Sequence, residues 1–481
     1  MAASNSVILQ TPLFGGQIIP VGQPLMFVVS NVELVSEEQK VKFIAEVFIG
    51  TNHPDVTQTT DLIGTFKTTP NNAGVGMFDM SNVLESYVDS DHLMTRGSQY
   101  KTLEASDDQG NQRYPVQLVD KFSRNYNMLR YLVIRFSVEY LGADDGVNPI
   151  DTTIVRTSVG SDIRSRFFQI FNGYLKFTDE IKRSSSGLNT GFGYDMDKFS
   201  LTGASSSALT NSPTAQYANI DDYGTLSFWT ESSQDLYRMR LAYNPTSGGG
   251  SVEYVERTAD NGAYNQWSVS SRRQILHFGC YPANLRNWSS TFNALVAAGT
   301  MEGGSITITA YSLAGIIAQT YTININCPNT KGYESIRLCW LNQWGAWDYY
   351  TFTKKSTKTL STKGTTYNQL GGSWNMHRYY PEGYKGGKKS FRVNTTEKIQ
   401  MNTGFVSEDD TIMFEELINS PEVYVLDGYD STDSTYSLLT KYVTPARITT
   451  SSFTRKTIAN DKLMQYTFEV EKSKTFRTQA V

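Results

Sequence analysis

The chain contains little cysteine and little histidine, and it lacks the sequence motifs that most enzyme classes require. Its 481 residues include three cysteines and four histidines. The cysteines, Cys280, Cys327 and Cys339, have neither the paired CxxC spacing of a zinc site nor the even number of a disulfide framework. We interpret them as small buried apolar side chains of a protein made in a reducing cytoplasm.

A charge excess and a long hydrophobic run are also missing. The chain has 43 Lys and Arg residues against 47 Asp and Glu residues, which gives a formal net charge of −4. This balance excludes a general electrostatic attraction to nucleic acid or to an anionic membrane. No run approaches the roughly 20 apolar residues of a spanning helix, and the first residues lack the pattern of a secretory signal. We therefore expect no membrane segment.

The histidines and acidic residues form no catalytic or metal-binding pattern. None of the four histidines stands in a zinc-binding spacing, and no nucleophile elbow, Walker A loop or Rossmann fingerprint is present. Asp221-Asp222 lies in a loop where solvated acids are expected, and Asp427–Ser437 lacks the order and the final Glu of a calcium loop. Glu382–Phe391 (EGYKGGKKSF) is typical of a basic turn between strands rather than of a phosphate loop. We predict a protein that is not an enzyme and that has no cofactor and no metal site.

Residues typical of β-strands are abundant instead. The chain has 29 Tyr and 24 Phe, and Gly, Ser and Asn clusters interrupt its apolar runs. The alternation of apolar and polar residues predicts strands at Val41–Gly50, Tyr131–Tyr140, Gly304–Leu313, Tyr321–Asn326 and Gln465–Glu471. The clearest helical pattern covers residues 407–419, with Ser407 as the predicted N-cap. We predict a mainly β fold of tandem β-sandwich or barrel-like modules with a few short helices.

Two low-complexity stretches divide the chain. Residues 183–214 are polar and rich in Ser and Gly, which predicts a linker or a mobile loop, and residues 353–372 form a second, softer boundary. We predict an N-terminal β-sandwich module at 1–182 and a second β-sandwich module at 215–352 that ends in an aromatic strand. A C-terminal β-rich module at 353–481 then contains the short helix 407–419.

The most unusual segment is RLCWLNQWGAWDYYTF, residues Arg337–Phe352. Three tryptophans stand in it at helical spacing, but Gly345 and the β-rich flanks favour two strands that meet at Asn342–Gly345. Two interpretations stay open. The rings either fill the core between the second and third modules, or form an exposed platform for a sugar or for a partner's backbone. The candidate residues are Trp340, Trp344, Trp347, Tyr349 and Tyr350.

Three segments together resemble a known class of proteins. Ile63–Val88 contains a strand, a PN turn and an F-D-x-S cap before a short helix, and LCWLNQWGAWDYYTF is similar to an aromatic element of the form FLNRxGxxDxFTF. In Gly404–Asp427 a capped helix runs into a strand after S-P-E-V-Y. This set resembles large virion structural proteins of tailed bacteriophages, of the tail, ring, collar or baseplate type, from phages of Bacteroidetes and of marine hosts.

The resemblance implies a homo-oligomeric ring in the virion, assembled in the host cytoplasm, with other tail or connector proteins as neighbours. It implies no nucleic-acid partner except DNA that passes through a tail channel. An alternative is a carbohydrate-binding, receptor-binding β-sandwich protein that uses the tryptophan-rich stretch 337–352. A polysaccharide-degrading enzyme, with Asp221 and Asp348 as the residues to test, is the third hypothesis.

Overall fold

A computed structural model describes most of the chain. The described residues are 6–12, 18–50, 61–92, 115–125, 127–141, 154–156, 163–165, 168–175, 181–183, 192–194, 197–230, 236–256, 274–327, 332–408, 410–430, 442–452, 454 and 464–473. Within this part of the chain, no helix is long and apolar enough to cross a membrane. The predicted mainly β fold is confirmed, with sandwich-like open sheets and a few short helices.

The strands of the N-terminal third are β1 (Val7–Gln10), β2 (Ile18–Pro20), β3 (Met26–Ser30), β4 (Gln39–Gly50), β5 (Asp61–Thr68), β6 (Val75–Asp79), β7 (Phe122–Asn125), β8 (Leu129–Leu141), β9 (Ile154–Arg156), β10 (Ile163–Arg164), β11 (Phe168–Phe171), β12 (Ile181–Arg183) and β13 (Phe192–Tyr194). The strands of the middle are β14 (Ala215–Ala218), β15 (Thr225–Thr230), β16 (Arg238–Asn244), β17 (Ser251–Glu256), β18 (Gln274–Gly279), β19 (Ser305–Tyr311), β20 (Tyr321–Ile325), β21 (Ile336–Leu341) and β22 (Trp347–Phe352). The last strands are β23 (Thr357–Gln369), β24 (Gly387–Asn402), β25 (Val423–Leu426), β26 (Val443–Ile448) and β27 (Thr467–Lys472).

The helices are short. They are α1 (Val32–Glu37), α2 (Ser81–Leu84), α3 (Pro282–Arg286), α4 (Ser290–Ala297) and α5 (Thr411–Asn419), with 3-10 turns at Glu85–Tyr87, Val116–Leu118 and Asp197–Phe199. Helix α5 begins four residues later than the sequence predicts. The backbone N–H and the hydroxyl of Ser407 both donate to Asp410 Oδ2, at 2.8 and 2.9 Å, so Ser407 does not act as the N-cap.

The N-terminal part is a sandwich of two sheets. One has the order β1-β3-β6, and the other has the order β2-β11-β8-β4-β5, with β9 and β10 also paired to β8. Phe27 and Phe78 of the first sheet meet Phe136 of the second at ring distances of 5.9 and 5.8 Å. These rings lie in one buried cluster, so the burial of one face of each sheet holds the sandwich together.

A second sandwich follows, but one of its strands comes from the N-terminal part. Its five-stranded sheet has the order β14-β20-β19-β16-β17, and its three-stranded sheet has the order β15-β18-β7. Strand β7 (Phe122–Asn125) belongs to the segment predicted as the first module, yet it pairs with β18. The boundary between 182 and 215 therefore does not separate the two sandwiches completely.

The third sheet crosses the predicted boundary at 352/353. It has seven strands in the order β22-β21-β25-β26-β27-β24-β23, so the aromatic strands that were predicted to end the second module are hydrogen-bonded to the C-terminal strands. Helix α5 covers this sheet through Phe414, which stacks on Phe468 at 5.3 Å. The stretch 353–372 is also mostly strand rather than a boundary, because β23 pairs with β24 along its whole length.

The predicted linker is in part a packed element. Residues 197–214 are described, and Phe199, Leu201, Ala208 and Leu209 are buried there. These apolar side chains fill space between the modules, which is why the prediction of a linker or mobile loop does not hold for this part. Residues 184–191 and 195–196 lie outside the described residues.

Candidate functional site

The tryptophan-rich stretch is a β-hairpin with a tight turn. Strands β21 and β22 pair from Ile336↔Phe352 to Leu341↔Trp347. The side-chain oxygen of Asn342 accepts from the backbone N–H groups of Trp344 and Ala346, each at 3.0 Å, and Gly345 adopts φ +70°. Asn in the first position and Gly at a positive φ are what this turn requires, and they explain the sequence NQWGA between the two strands.

The hairpin is buried on both of its faces because it lies between two cores. Ile336, Leu338 and Trp340 belong to the core under helix α5, whereas Cys339 and Leu341 belong to the core of the second sandwich. The alternation of side chains along a strand therefore sends successive residues to different cores. A strand that is covered on both faces is continuously apolar, which accounts for the composition of the stretch.

The five candidate aromatic residues fill these cores. Trp340, Trp344 and Trp347 are 0–2% exposed, Tyr349 is 5% exposed, and Tyr350 is half-buried. The indole N–H of Trp344 donates to Asn211 Oδ1, and that of Trp347 donates to the backbone oxygen of Asp91, each at 3.0 Å. The core interpretation of this stretch therefore fits the structure, because the three tryptophan rings and the Tyr349 ring are buried.

The acidic residues singled out in the sequence make internal contacts. Asp221 forms an ion pair with Arg286, and it is about half-exposed, as predicted for a loop acid. Asp222 is buried, so the prediction of a solvated acid is wrong for it; the hydroxyl of Thr351 donates to it at 2.6 Å and Arg337 lies 3.4 Å away. Asp348 is also buried, and it accepts a hydrogen bond from the hydroxyl of Thr210. Residues 431–441 of the calcium-like segment lie outside the described residues.

A buried chain of polar groups has the order acid, imidazole, hydroxyl. His277 Nε2 lies 3.1 Å from Asp91 Oδ2, and His277 Nδ1 lies 2.8 Å from Ser227 Oγ. Nucleophilic catalysis uses this order, but it also needs a nucleophile that a substrate can reach. All three side chains are at most 3% exposed, and Asp91 is further held by the backbone N–H groups of Asn127 and Met128. The network joins the first two parts of the fold.

A second polar cluster lies nearer to the surface. Asp89, His92 and Glu422 place one ligand atom each within 4.8 Å of one another, which is close enough for a shared metal ion. His92 Nε2 lies 3.3 Å from Glu422 Oε1 and 2.8 Å from Ser90 Oγ. The hydrogen bond that His92 donates to Glu422 raises the pKa of His92. Burial acts to raise the pKa of Glu422, but the hydrogen bond from His92 opposes it and the pKa of Glu422 is lowered. An ion pair between the two accounts for the cluster without a metal.

The cluster is not a catalytic triad. Both Ser90 and Glu422 face the same nitrogen of His92, whereas a general base needs the acid and the nucleophile on different nitrogens. Sequence analysis missed the cluster because about 330 residues separate its two halves, and only the fold brings them together.

An open cleft of about 370 Å³ lies where three parts of the chain meet. Its walls come mainly from the turn after β11, the turn of the aromatic hairpin and helix α5 with the residues that follow it, and Val21, Gly22 and Glu85 complete them. The two turns are in direct contact, since the backbone N–H of Tyr174 donates to the backbone oxygen of Gln343 at 2.7 Å. Three carboxylates line the cleft, from Glu85, Glu415 and Glu416, and among the described residues its lining contains no Lys, Arg or His.

Strands β23 and β24 extend far beyond the sheet to which they belong. Strand β24 pairs with β27 only over 398–402, so residues 361–369 and 387–396 pair with each other alone. We call residues 361–396 the arm. Nine residue pairs at roughly 3.3 Å each give a two-stranded ribbon about 30 Å long. Every residue from 361 to 366 and from 387 to 393 is exposed, so both faces of the ribbon meet solvent.

The tip of the arm combines exposed rings with positive charge. Trp374, Tyr379 and Tyr384 are 60–76% exposed, and the Trp374 and Tyr379 rings contact each other at 5.8 Å. The other exposed apolar residues of the arm are Leu370, Met376, Tyr380, Phe391 and Val393. Residues 361–396 contain six Lys and Arg against one Glu, a net charge of +5; the rest of the chain has 37 against 46, a net charge of −9.

No protein-family model and no curated protein matches this chain. The residues described above are therefore the basis for a function.

Proposed function

We propose that this chain is a structural component of a tailed-phage virion. In this role it forms a homo-oligomeric ring in the tail, collar or baseplate, contacts neighbouring tail proteins and has no catalytic activity. The protein is made in the host cytoplasm and resides in the assembled particle. The resemblance of three segments to such proteins supports this role, and so does the arm.

The arm is the observation that carries the proposal. Among the described residues, its side-chain hydrogen bonds join arm residues to each other and not to the body of the protein. A two-stranded ribbon alone is at best marginally stable in water, and rings exposed together at its tip are typical of a protein-binding surface. Docking on another subunit would cover these rings and both faces of the ribbon.

Glycan binding at the arm tip is a second candidate. The predicted platform at 337–352 is buried, whereas Trp374 and Tyr379 expose their rings side by side. Such rings stack on sugars. If this is the function, Trp374→Ala removes binding on a glycan array and leaves self-association unchanged.

Negative-stain images of the purified protein test the structural role. We expect closed rings with a constant number of subunits for the full chain. A matched control lacks the arm: residues 361–396 are replaced by an Asn-Gly turn, because Leu360 and Glu397 are already paired and a two-residue turn closes such a hairpin. We expect single particles from this arm-shortened chain. Single particles from the full chain, together with its absence from purified phage, would contradict the role.

A further inference from the structure

We propose that Asp89, His92 and Glu422 bind one zinc ion, which joins the N-terminal part of the chain to the seven-stranded sheet. Asp89 and His92 follow the 3-10 turn Glu85–Tyr87, and Glu422 immediately precedes β25. The site goes beyond the proposed function, because it requires neither the arm nor a second copy of the chain.

The distances between the donor atoms match those around a zinc ion. Two ligand atoms that each lie about 2.0–2.1 Å from a tetrahedral zinc ion are roughly 3.3 Å apart. His92 Nε2 and Glu422 Oε1 are 3.3 Å apart, and one ligand atom of each of the three residues lies within 4.8 Å of the other two. Asp89 is exposed, so a rotation of its side chain completes a three-ligand site that leaves the fourth position to water.

The charges of the three side chains also favour a divalent ion. Two carboxylates meet one imidazole, and a proton on His92 gives the ion pair with Glu422 described above. This proton balances one of the two negative charges, whereas a divalent ion in its place balances both. His92 and Glu422 are half-buried, and charge compensation is worth more there than in water.

Neighbouring groups hold two of the ligands in the required orientation. The hydroxyl of Tyr424 donates to Glu422 Oε2 at 3.1 Å, which leaves Oε1 directed towards His92. The His92 ring packs against the ring of Trp347 at 5.6 Å. Such contacts outside the ligand set orient the ligands and strengthen the binding of the ion.

The segment that contains Asp89 and His92 is fixed to the body of the protein. The backbone N–H of Asp89 donates to the backbone oxygen of Asn127 at 2.9 Å, and Asp91 accepts from the backbone N–H groups of Asn127 and Met128. The carboxylate of Asp89 itself accepts from the backbone N–H of Ser90 at 2.8 Å. Ligands on a segment held in this way lose little conformational freedom when the ion binds.

The ligand set selects zinc over the hard divalent ions. Mg²⁺ and Ca²⁺ take oxygen ligands, whereas an imidazole nitrogen suits Zn²⁺. We therefore expect zinc to bind in the presence of an excess of Mg²⁺. The sequence does not indicate this site, because Glu422 lies 330 residues after His92 and no local zinc-binding spacing connects them.

Isothermal titration calorimetry with zinc chloride tests the site on the full chain, after a chelator has removed bound metal. We expect the natural chain to bind one zinc ion. His92→Gln and Asp89→Asn each remove one ligand, and we expect each to weaken zinc binding by more than about 100-fold. Asp89→Asn changes an exposed side chain, so it tests the site even if His92→Gln does not fold.

A matched control removes an imidazole elsewhere. His377 is exposed on the arm, and we expect His377→Gln to bind zinc like the natural chain. We also expect zinc to raise the melting temperature of the natural chain and of His377→Gln but not that of Asp89→Asn, because an ion that binds only the folded state stabilises it.

X-ray absorption at the zinc edge identifies the ligands directly. We expect nitrogen and oxygen neighbours at about 2.0–2.1 Å, whereas a sulfur neighbour at about 2.3 Å would place the ion on a cysteine such as the exposed Cys327. That sulfur neighbour would overturn the inference, and so would a natural chain that binds no zinc or an Asp89→Asn chain that binds it equally well. These results are independent of ring formation, which the arm-shortened chain tests separately.

Discussion

Trp344 joins three parts of the molecule at the level of a single residue. Its ring meets Phe199 at 4.6 Å, its indole N–H donates to Asn211, and it lies in a buried cluster with Ile18 and Phe171 of the N-terminal sandwich. Such a residue contributes through packing rather than through an exposed surface, since removing it leaves a cavity between elements that cannot all collapse.

Trp344→Ala is expected to destabilise the fold by about 3–5 kcal/mol, the usual cost of truncating a buried tryptophan. Trp374→Ala is the matched control. Its ring is 66% exposed on the arm, so the expected change is within about 0.5 kcal/mol. Urea unfolding of the full chain with each substitution measures the two changes in stability. Trp344→Ala is also measured in the arm-shortened chain, which lacks Trp374. Equal effects of the two substitutions would contradict the core assignment of Trp344.

Asp348 makes stability depend on pH. Its burial raises its pKa from 3.8 to about 6, against the opposing hydrogen bond from Thr210. Between pH 4 and 6, the folded state keeps a proton that the unfolded state has lost. The contribution of this group to stability therefore falls as the pH rises through this window and is constant above it.

The variant Asp348→Asn tests this dependence. We expect its free energy of unfolding to lack the Asp348 contribution, so the difference between the natural chain and the variant changes by roughly 2–3 kcal/mol from pH 4 to pH 7. Urea unfolding at a series of pH values measures the difference, and other titrating groups cancel in it. A difference that is independent of pH would show that folding does not raise the pKa of Asp348.

At the level of elements, the aromatic hairpin holds the modules together through its turn. A Cβ added to Gly345 would lie 1.9 Å from the backbone oxygen of Asn172, and Gly345 has φ +70°. The turn after β11 and the turn after β21 thus touch at a point where only glycine fits. The walls of the cleft depend on this contact, because both turns line it.

Gly345→Ala is expected to cost more than the roughly 1–2 kcal/mol of the left-handed backbone alone, since the backbone of Asn172 must also move. Gly383→Ala is the control, because Gly383 is exposed on the arm with no atom within 4 Å of an added Cβ. Thermal unfolding compares the two. Equal stability of Gly345→Ala and Gly383→Ala would contradict the contact between the turn after β11 and the turn after β21.

The elements that the sequence predicted correctly are those in which apolar and polar residues alternate. Val41–Gly50 and Tyr131–Tyr140 have this pattern and lie within β4 and β8. The stretch 353–372, which contains strand β23, has the pattern of a boundary instead, because no apolar alternation marks it. In the structure all but two residues of β23 are exposed, which explains the missing alternation. Its many threonines favour extended structure, but only its pairing with β24 makes it a strand.

The candidate site could not be predicted for a different reason. The cleft takes residues from positions near 22, 174, 343 and 415, and the sequence contains no pattern that links them. The arm tip was identified only as a basic turn at Glu382–Phe391, and nothing in the spacing of its residues indicates that it extends beyond the sheet. Both surfaces depend on long-range pairing, which local periodicity does not report.

For the whole molecule, the distribution of charge is more informative than the total. The net charge of −4 is the sum of an arm at +5 and a body at −9. The attraction between such surfaces on different copies is screened by salt, with a Debye length of about 10 Å at 0.1 M ionic strength. We therefore regard the arm as the part of the molecule that faces a neighbour, and the two sandwiches with the seven-stranded sheet as the body that positions it.

The most direct measurement is the molar mass of the full chain and of the arm-shortened chain by light scattering, over a range of protein concentrations at low salt. The full chain has a mass of 53.9 kDa. Our account predicts a multiple of this mass for the full chain and the mass of one subunit for the arm-shortened chain. A full chain that stays at 53.9 kDa, or an arm-shortened chain that assembles equally well, would contradict the claim that the arm joins copies of this protein.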